Sequence, residues 1–434
     1  MTLPARLQEV VRRAAAQNRP VAEGRVAALH GIAVEVSGLR AALGDVCTIR
    51  VREHGVPAEV VGFRGERAIL MPLGDAGGLA PLAPVLHHGK PLAVTVGPAL
   101  LGRVLDALGE PVDGGPPLRG EERPITGEPP GALQRARITQ AFASGISAID
   151  GFLTCGKGQR IGIFAGSGVG KSTLLGMIAR GSSAQVNVIA LVGERGREVR
   201  EFLEDSLGAE GMARSVVVVA TSDVSPMLRM KAPAVAASIA EWFRDQGHDV
   251  LFLMDSVTRF AGAAREIGLA AGEPPTLRGY PPSLFAHLPR LVERLGNSEK
   301  GSITGLLTVL VDGDDLNEPV SDALRGYLDG HIVLSRKIAA RGRFPSIDVL
   351  GSVSRLMDKV TSAEHVQKAR AVRELLAHYE ENRDLVQVGA YRKGADALLD
   401  KALARIQQIE GLLYQGREQR PMQATLERLY QAAI

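Results

Sequence analysis

The chain has 434 residues, enough for about three domains of ordinary size. Hydrophobic residues make up 45% and charged residues 23%, which excludes disorder along the whole chain. The 51 Lys and Arg nearly balance the 48 Asp and Glu, so the net charge of +3 argues against a protein that wraps nucleic acid electrostatically. The two cysteines fit a reducing cytoplasm. No apolar run reaches the roughly 18 residues of a membrane span, so any membrane contact is expected to be peripheral.

The first predicted elements are a short helix and a β domain. Leu7, Val10 and Val11 share one face of a helical pattern within residues 1–20, which is either a frayed tail or a docking helix for a partner. Over residues 21–96, β-prone runs separated by Gly and Pro predict a small, closed or nearly closed β-barrel domain. The runs are 32–36, 46–51, 58–61, 68–71 and 92–96.

An α/β core and a helical domain follow. Residues 97–137 are a connecting region rich in Gly, Pro and Arg, and beyond them apolar runs alternate with helical patterns. Runs that are apolar at consecutive positions are typical of parallel strands buried on both faces. We therefore predict an α/β core over residues 97–357 and, where the strands stop, a helical domain over 358–434. The strand-like runs are 161–165, 188–192, 216–220, 250–254, 306–311 and 332–334.

The strongest motif runs from Ile161 to Thr173, where an apolar strand enters a glycine loop that ends in Lys-Ser. The glycines let consecutive N–H groups face one concavity that holds phosphate oxygens, and the following helix adds the positive end of its dipole. Lys171 can reach the β- and γ-phosphates of ATP, and Ser172 can ligate Mg²⁺. Ala165 stands where the usual pattern has Gly. The predicted nucleotide-binding residues of the loop are Ala165, Gly166, Ser167, Gly168, Val169, Gly170, Lys171, Ser172 and Thr173.

Two carboxylates at the ends of predicted strands can complete a hydrolytic site. Asp255 ends the run 250–254, at the edge where a parallel sheet presents residues to a ligand, and is the candidate to act on Mg²⁺ through water. Glu194 follows the run 188–192 and can polarise a water in line with the γ-phosphate. Taken alone, Asp255 also suits a strand-end cap, and Glu194 a solvated turn.

Several long segments then indicate a family. Residues 191–202, Leu-Val-Gly-Glu-Arg-Gly-Arg-Glu-Val-Arg-Glu-Phe, resemble the rotary ATPase superfamily, which includes the ATP synthase β subunit, and more closely the type III protein-export ATPases. Residues 144–160 resemble the pre-loop segment of those ATPases. Residues 272–283, 311–319 and 326–336 resemble the flagellar members, the flagellum-specific ATP synthases.

The resemblance covers essentially residues 20–430 and implies a RecA-like P-loop core between a small β-barrel and a C-terminal helical domain, in a homohexameric ring. It implies that Arg355 is an arginine finger reaching the nucleotide of the neighbouring subunit. It also implies that Phe344 packs on adenine and that Arg259 helps order Glu194 or the γ-phosphate. Because Glu194 and Arg355 occur in one chain, identical subunits can supply every site of a closed ring.

The function implied by the resemblance is ATP hydrolysis, with Mg²⁺, that energises release, unfolding and translocation of substrates of the flagellar type III export apparatus. The implied partners are a regulatory stator-like protein at the N-terminal helix, a central stalk protein, export substrates with their chaperones, and a membrane export gate. The chain is then cytoplasmic and peripheral to the inner face of the cytoplasmic membrane. The loop Tyr280–Pro282 and the acidic run at Asp312, Asp314 and Asp315 favour the flagellar branch over an injectisome ATPase.

Two further functions belong to other classes. A hexameric nucleic-acid translocase of the Rho type also joins a small β domain to a RecA-like core. Single-strand binding, however, uses basic residues with stacking aromatics, and residues 21–96 contain one aromatic, Phe63, so no nucleic acid is expected. A structural ring subunit that binds nucleotide without turnover is disfavoured by Glu194 and Arg355.

Overall fold

The structure is a computed structural model that describes residues 23–52, 54–311, 315 and 317–433. The predicted N-terminal helix within residues 1–20, and with it Asp312 and Asp314, lies outside the described residues. The described residues divide into two compact units: those up to 92 together with 269–273 form the first, and the others form the second.

The first unit contains a closed antiparallel barrel. Its strands are β1 (Glu23–His30), β2 (Ala33–Ser37), β3 (Asp45–Val51), β4 (His54–Arg64), β5 (Arg67–Pro72) and β6 (Pro84–Pro91). They pair in the order β1-β2-β5-β4-β3-β6, and β6 returns to β1. Buried residues alternate with more exposed ones along β1 and β3, because successive side chains of a strand point to opposite faces. Cys47 belongs to the apolar interior, and its burial raises the pKa of the thiol to about 11.

The run 92–96 does not enter the barrel as predicted. Strand β7 (Ala93–Val96) belongs to the second unit, where it pairs with β9 (Glu121–Pro124). Between them, β8 (Val104–Leu105) joins the edge of the main sheet. The reason is the packing of Val94: a Cβ atom on Gly109 would lie 2.5 Å from its Cγ2, so the valine fills space above a glycine of the second unit.

The second unit is built on a large, mostly parallel sheet. The remaining strands of the second unit are β10 (Ala141–Phe142), β11 (Cys155–Gly156), β12 (Arg160–Ala165), β13 (Val186–Val192), β14 (Ser215–Ala220), β15 (Asp249–Asp255), β16 (Gly296–Asn297), β17 (Ser302–Leu310), β18 (Gly330–Leu334) and β19 (Ile347–Ser354). The sheet order is β19-β18-β12-β17-β15-β13-β14-β8, with β16 antiparallel to β17 and β19 antiparallel to β18. Every residue of β13 is buried, as in a strand with both faces covered.

Helices pack around this sheet and continue to the C-terminus. Their bounds are Ser147–Phe152, Lys171–Gly181, Gly196–Glu201, Gly208–Ala213, Pro226–Asp245, Val257–Ala270, Pro282–Glu293, Pro319–Tyr327, Arg336–Ala340, Met357–Val360, Ala363–Gln387, Ala397–Leu413 and Met422–Ala432. One hydrophobic core joins the sheet to the last three helices, with Phe152, Leu376, Leu412 and Leu429 among its members. The predicted α/β fold with an N-terminal barrel and C-terminal helices is confirmed. Among the described residues, no helix is long and apolar enough to cross a membrane.

Candidate nucleotide-binding and catalytic site

The glycine loop lies between β12 and the helix Lys171–Gly181, at the carboxyl edge of the parallel strands. Gly168 and Gly170 have φ of +77° and +86°, a left-handed conformation that glycine adopts without steric cost. Gly170 caps the helix and has no side chain to accept from the first helical amides, so those N–H groups remain available for phosphate oxygens. The loop residues from Ala165 to Gly168 and from Gly170 to Thr173 line a cavity of about 680 Å³.

Lys171 lines this cavity and joins it to Asp255. The Lys171 ammonium donates a hydrogen bond to the Asp255 carboxylate, which is 3% exposed at the end of β15. Thr308 on β17 donates its hydroxyl to the same carboxylate oxygen at 2.7 Å. Because β17 lies between β12 and β15, Thr308 bridges the strand of the phosphate loop and the strand of Asp255. Sequence reasoning missed Thr308, although it is the one hydroxyl in the apolar run 306–311.

Glu194 is the second carboxylate close to the lysine. It leaves β13, its backbone carbonyl accepts from Ser222 N at 3.0 Å, and its carboxylate lies 3.5 Å from the Lys171 ammonium. Burial, and then repulsion from Asp255, raise the pKa of Glu194 to about 7, and a hydrogen bond with Glu198 adds to the rise. The same hydrogen bond holds the pKa of Glu198 below its usual value. Glu194 is therefore poised near neutral pH, as a general base requires.

Arg259 lines the same cavity from the helix Val257–Ala270. Its side chain runs along the backbone beside Glu194, because a Cβ atom on Gly193 would lie only 2.7–3.2 Å from Arg259 Cβ, Cγ and Cδ. Arg195 also lines the cavity and forms an ion pair with Glu198 at 3.1 Å. The three cations that line the cavity, Lys171, Arg195 and Arg259, are placed to meet a polyphosphate.

The donor set at the cavity suits Mg²⁺. This ion prefers hard oxygen ligands, usually one or two carboxylates or hydroxyls together with phosphate oxygens and water. Ser172 follows Lys171 on the first turn of the loop helix, and the buried Asp255 carboxylate already has a cation as its partner. These two residues would hold Mg²⁺ beside the phosphates.

A second, smaller cavity of about 320 Å³ adjoins the loop and is more apolar than the cavity at the phosphate loop. Phe344 lies against the loop, since its ring carbons would be 3.3–3.4 Å from a Cβ atom on Gly170. Ser346 donates its hydroxyl to the Val169 carbonyl at 2.7 Å and fixes this contact. Tyr414, which sequence reasoning missed, supplies a second exposed aromatic from the C-terminal helical part of the chain. The cavity is lined by Gly170, Thr173, Leu174, Met177, Phe344, Pro345, Tyr414, Gln415, Gly416 and Arg417.

Arg355 does not join the residues of its own cavity. It is exposed directly after β19, and its guanidinium donates to the Arg325 carbonyl at 3.1 Å. Its backbone N–H donates to the Asp329 carbonyl at 3.0 Å. Asp329 in turn accepts through its carboxylate from the backbone N–H of Arg160, at the start of β12, at 3.0 Å. The predicted site residues thus separate into one group around the phosphate loop and an arginine facing outwards.

Sequence comparisons assign this site to a family. Residues 145–354 match the ATP synthase alpha/beta family, nucleotide-binding domain, and residues 361–431 match the T3SS EscN ATPase C-terminal domain. A "Type 3 secretion system ATPase" of Xanthomonas euvesicatoria is 53% identical over 91% of this chain and 90% of its own length. A "Flagellum-specific ATP synthase" of Bacillus subtilis (strain 168) is 51% identical over 91% of each chain.

A solved structure agrees along nearly the whole chain. The assembled ATPase EscN of the enteropathogenic E. coli type III secretion system, in complex with its central stalk EscO, matches with a TM-score of 0.88. It is 42% identical and covers 95% of this chain and 100% of its own. The resemblance inferred from the motifs is therefore confirmed. The chain is an ATPase of the ATP synthase alpha/beta family and belongs to its branch of type III secretion and flagellum-specific ATPases.

Proposed function

We propose that the chain hydrolyses ATP to ADP and phosphate and thereby energises the flagellar type III export apparatus. The observation that carries the hydrolytic part is the clustering of Lys171, Glu194 and Asp255: Lys171 and Glu194 line one cavity, and the Lys171 ammonium bonds to Asp255 and lies 3.5 Å from Glu194. A phosphate-binding cation, a carboxylate tuned to neutral pH and a carboxylate suited to a divalent cation are the groups that phosphoryl transfer to water needs.

In the proposed reaction the γ-phosphate lies between the loop amides and Glu194. The Lys171 ammonium, which bonds to Asp255, reaches the β- and γ-phosphates. Glu194 accepts the proton of the attacking water as ADP leaves the γ-phosphorus. Arg259 helps to order Glu194 or the γ-phosphate. Mg²⁺, held by Ser172 and through water by Asp255, would supply charge neutralisation of the phosphate oxygens.

The adenine is proposed to lie in the smaller cavity between Phe344 and Tyr414. Both rings are half exposed, at 42% and 54%, and both line this cavity. An aromatic pair beside a phosphate loop can stack on a base and bury it.

Arg355 is proposed to act on the nucleotide of a neighbouring copy in a homohexameric ring. Support comes from its exposed position away from its own cavity and from the relative EscN, whose structure is that of an assembled ATPase. An arginine supplied across an interface stabilises the charge of the transition state and can raise the rate by about 10³–10⁵.

The chemistry is tested with Glu194→Gln, which keeps the shape of the side chain but cannot accept a proton. We expect the variant to bind ATP with near wild-type affinity and to lose phosphate release by at least about a hundredfold, within the range for general base catalysis. The measurements are ATP binding by fluorescence and phosphate release under saturating Mg-ATP. Turnover retained within a few-fold of wild type would remove Glu194 from the role of base.

The export role is tested in the cell that carries the gene. The relatives named for flagella and for type 3 secretion are 51% and 53% identical, so an injectisome ATPase is the second candidate. Deletion is expected to abolish flagellar filaments and motility, and complementation with Glu194→Gln is expected to fail. Normal filaments together with loss of effector secretion would reassign the chain to an injectisome.

The proposed partners are tested by co-purification. We propose that a stator-like protein binds the segment 1–20, that a central stalk protein enters the ring, and that cargo–chaperone complexes meet the C-terminal helices below a membrane export gate. Changing Val10 and Val11 to Asp should weaken co-purification with the stator-like protein while ATPase activity persists. Undiminished co-purification would contradict the docking role.

A further inference from the structure

One buried amide, Gln415, joins the C-terminal helical part of the chain to the nucleotide-binding core. It lies between the helices Ala397–Leu413 and Met422–Ala432 and is 2% exposed. Its Nε2 donates to the Gly145 carbonyl at 2.8 Å, and its Oε1 accepts from Ser147 N at 2.9 Å. Its backbone N–H donates to the Phe344 carbonyl at 2.9 Å.

The segment that Gln415 contacts is itself fixed to the phosphate loop helix. Gly145 packs on the end of the helix Lys171–Gly181, since a Cβ atom on Gly145 would lie 3.0 Å from the Gly181 carbonyl oxygen. On its other side the buried Asp150 carboxylate accepts from the backbone N–H groups of Ser144 and Gly145 at 2.8 and 3.0 Å. Gln415 therefore bonds to a rigid part of the core rather than to a loose turn.

The chemistry of the contact requires an amide. One end of the side chain must donate to the carbonyl of Gly145 and of Glu418, and the other must accept from an N–H group. A glutamate in this place would face two carbonyls without a proton to donate. A buried polar group that loses its partner costs more than the hydrogen bond itself contributes.

The position of Gln415 gives this contact a consequence for the nucleotide. Tyr414, Gln415 and Phe344 line the smaller cavity, and the backbone N–H of Gln415 bonds to the Phe344 carbonyl, so the place of the Gln415 backbone affects both aromatic residues. We infer that Gln415 is a positioning residue: its side-chain bonds to the core fix the place of Tyr414 and of its own backbone, and so set the width of the base cavity between Tyr414 and Phe344. This inference rests on the proposed function, in which the base occupies that cavity.

The test compares a ligand that has a base with one that has none, using the full-length chain. ADP occupies both the base and phosphate parts of the site, whereas inorganic tripolyphosphate occupies only the phosphate part. With Gln415→Ala, we expect the Kd of ADP to rise about tenfold and the Ki of tripolyphosphate to stay within twofold. KM for ATP should rise in parallel with the Kd while kcat changes less than threefold. Gln415→Glu keeps the side-chain volume and should move the same quantities in the same direction.

A matched control separates positioning from general stability. Arg420 donates to the Ser147 hydroxyl at 2.8 Å and so ties together the same two segments, but it does not line either nucleotide cavity. Arg420→Met should lower Tm and leave the Kd of ADP within twofold of wild type.

Three results would overturn the inference. They are an unchanged Kd of ADP in the folded Gln415 variants, an equal loss of ADP and tripolyphosphate binding, and a loss in Arg420→Met as large as that in Gln415→Ala. Should Gln415→Ala fail to fold, Gln415→Glu decides the matter by the same criteria. Because these are binding measurements, a wild-type protein that binds ADP but does not hydrolyse ATP would contradict the proposed function without deciding the role of Gln415.

Discussion

At the scale of single residues, the site depends on how one lysine is shared between two carboxylates. Lys171 bonds to Asp255 and lies 3.5 Å from Glu194, and its charge favours the ionised form of Glu194. Burial opposes this effect at Glu194 and prevails, which places its pKa near neutrality. Glu194 is therefore a base that takes up and releases its proton near physiological pH.

The raised pKa of Glu194 predicts a pH dependence of the reaction. A base with a pKa of about 7 is protonated below that pH, so kcat/KM should fall as the pH drops through about 7, roughly tenfold per pH unit at the acid end. The measurement is kcat/KM for Mg-ATP from pH 5.5 to 9, which reports groups of the free enzyme.

Glu198→Gln provides the control, because the hydrogen bond with Glu198 contributes to the raised pKa of Glu194. The midpoint of the profile should move to lower pH in this variant, whereas titration of the ATP phosphates would stay in place. A profile that is flat between pH 6 and 8, or a midpoint that ignores the substitution, would contradict the assignment.

The hydrogen bond from Thr308 to Asp255 predicts that Thr308 affects the Mg²⁺ requirement of the ATPase. Thr308→Val preserves the shape of the side chain but removes the hydroxyl that orients Asp255. Loss of such an outer contact typically costs 10–100-fold in metal affinity or activity. We expect half-maximal ATPase activity to require about tenfold more Mg²⁺, with Tm lowered by only a few degrees. Thr308→Ser should restore the wild-type requirement, and a wild-type Mg²⁺ response in the valine variant would remove Thr308 from this role.

At the scale of elements, one buried ion pair joins the helix Pro226–Asp245 to the turn after Pro282–Glu293. Arg294 donates to both carboxylate oxygens of Glu241 at 2.7 and 3.0 Å, and also to the Ile125 carbonyl. Both side chains are almost completely buried. A pair of this kind is costly to break, because the remaining charge stays in the interior.

Arg294→Met should therefore lower the free energy of unfolding of the second unit by about 3 kcal/mol, at the lower end of the range for buried pairs. The lower end is expected because Arg123 lies 3.8 Å from Glu241 and gives it a second cation. The measurement is urea unfolding followed by tryptophan fluorescence, since Trp242 adjoins the pair in the same helix. The double variant with Glu241→Gln should recover part of the loss; an additive further loss would show that charge burial is not the cause.

The elements also show which parts of the fold were predictable. The phosphate loop, Glu194 and Asp255 could be found because each directly follows an apolar run of consecutive residues, a local signal of a buried parallel strand. Strand β19 was not predicted, because Gly351 and polar residues interrupt its apolar pattern at the sheet edge. The first barrel strand was missed for a similar reason, since five of its eight residues are exposed.

Site residues from distant segments were harder to predict for a topological reason. Thr308 reaches Asp255 only because β17 lies between β12 and β15, and this order does not follow the order of the chain. Tyr414 and Gln415 reach the base cavity from beyond the last strand. The resemblance to a family supplied Phe344 and Arg355, which no local pattern distinguishes from an ordinary core or surface residue.

At the scale of the whole molecule, Arg355 predicts that two inactive variants can restore each other. In the proposed ring each site takes Glu194 from one copy and Arg355 from its neighbour. Rings mixed equally from Glu194→Gln and Arg355→Ala would then contain about one intact site in four, by random placement around a closed head-to-tail ring. We expect the mixture to regain up to about a quarter of wild-type ATPase activity although each variant alone is inactive.

The control for this mixture is a chain carrying both substitutions. Mixed with Glu194→Gln, this chain gives rings without Glu194, and mixed with Arg355→Ala it gives rings without Arg355. Neither mixture can form an intact site, so activity should stay at background. Recovery that does not depend on protein concentration, or no recovery in rings shown to be mixed, would place Arg355 outside the catalytic site of the neighbour.

The anchoring of Arg355 has a consequence for the timing of the ring. Its backbone bonds to Asp329, whose carboxylate holds the first residue of β12, the strand that carries the phosphate loop; β18 alone separates β12 from β19. In the proposed ring, the loop that binds one nucleotide and the arginine that reaches the next are therefore attached to nearby strands of one sheet. We therefore expect that ATP binding by one copy of the proposed ring moves the arginine at the adjoining site, and that the copies hydrolyse ATP in succession rather than independently.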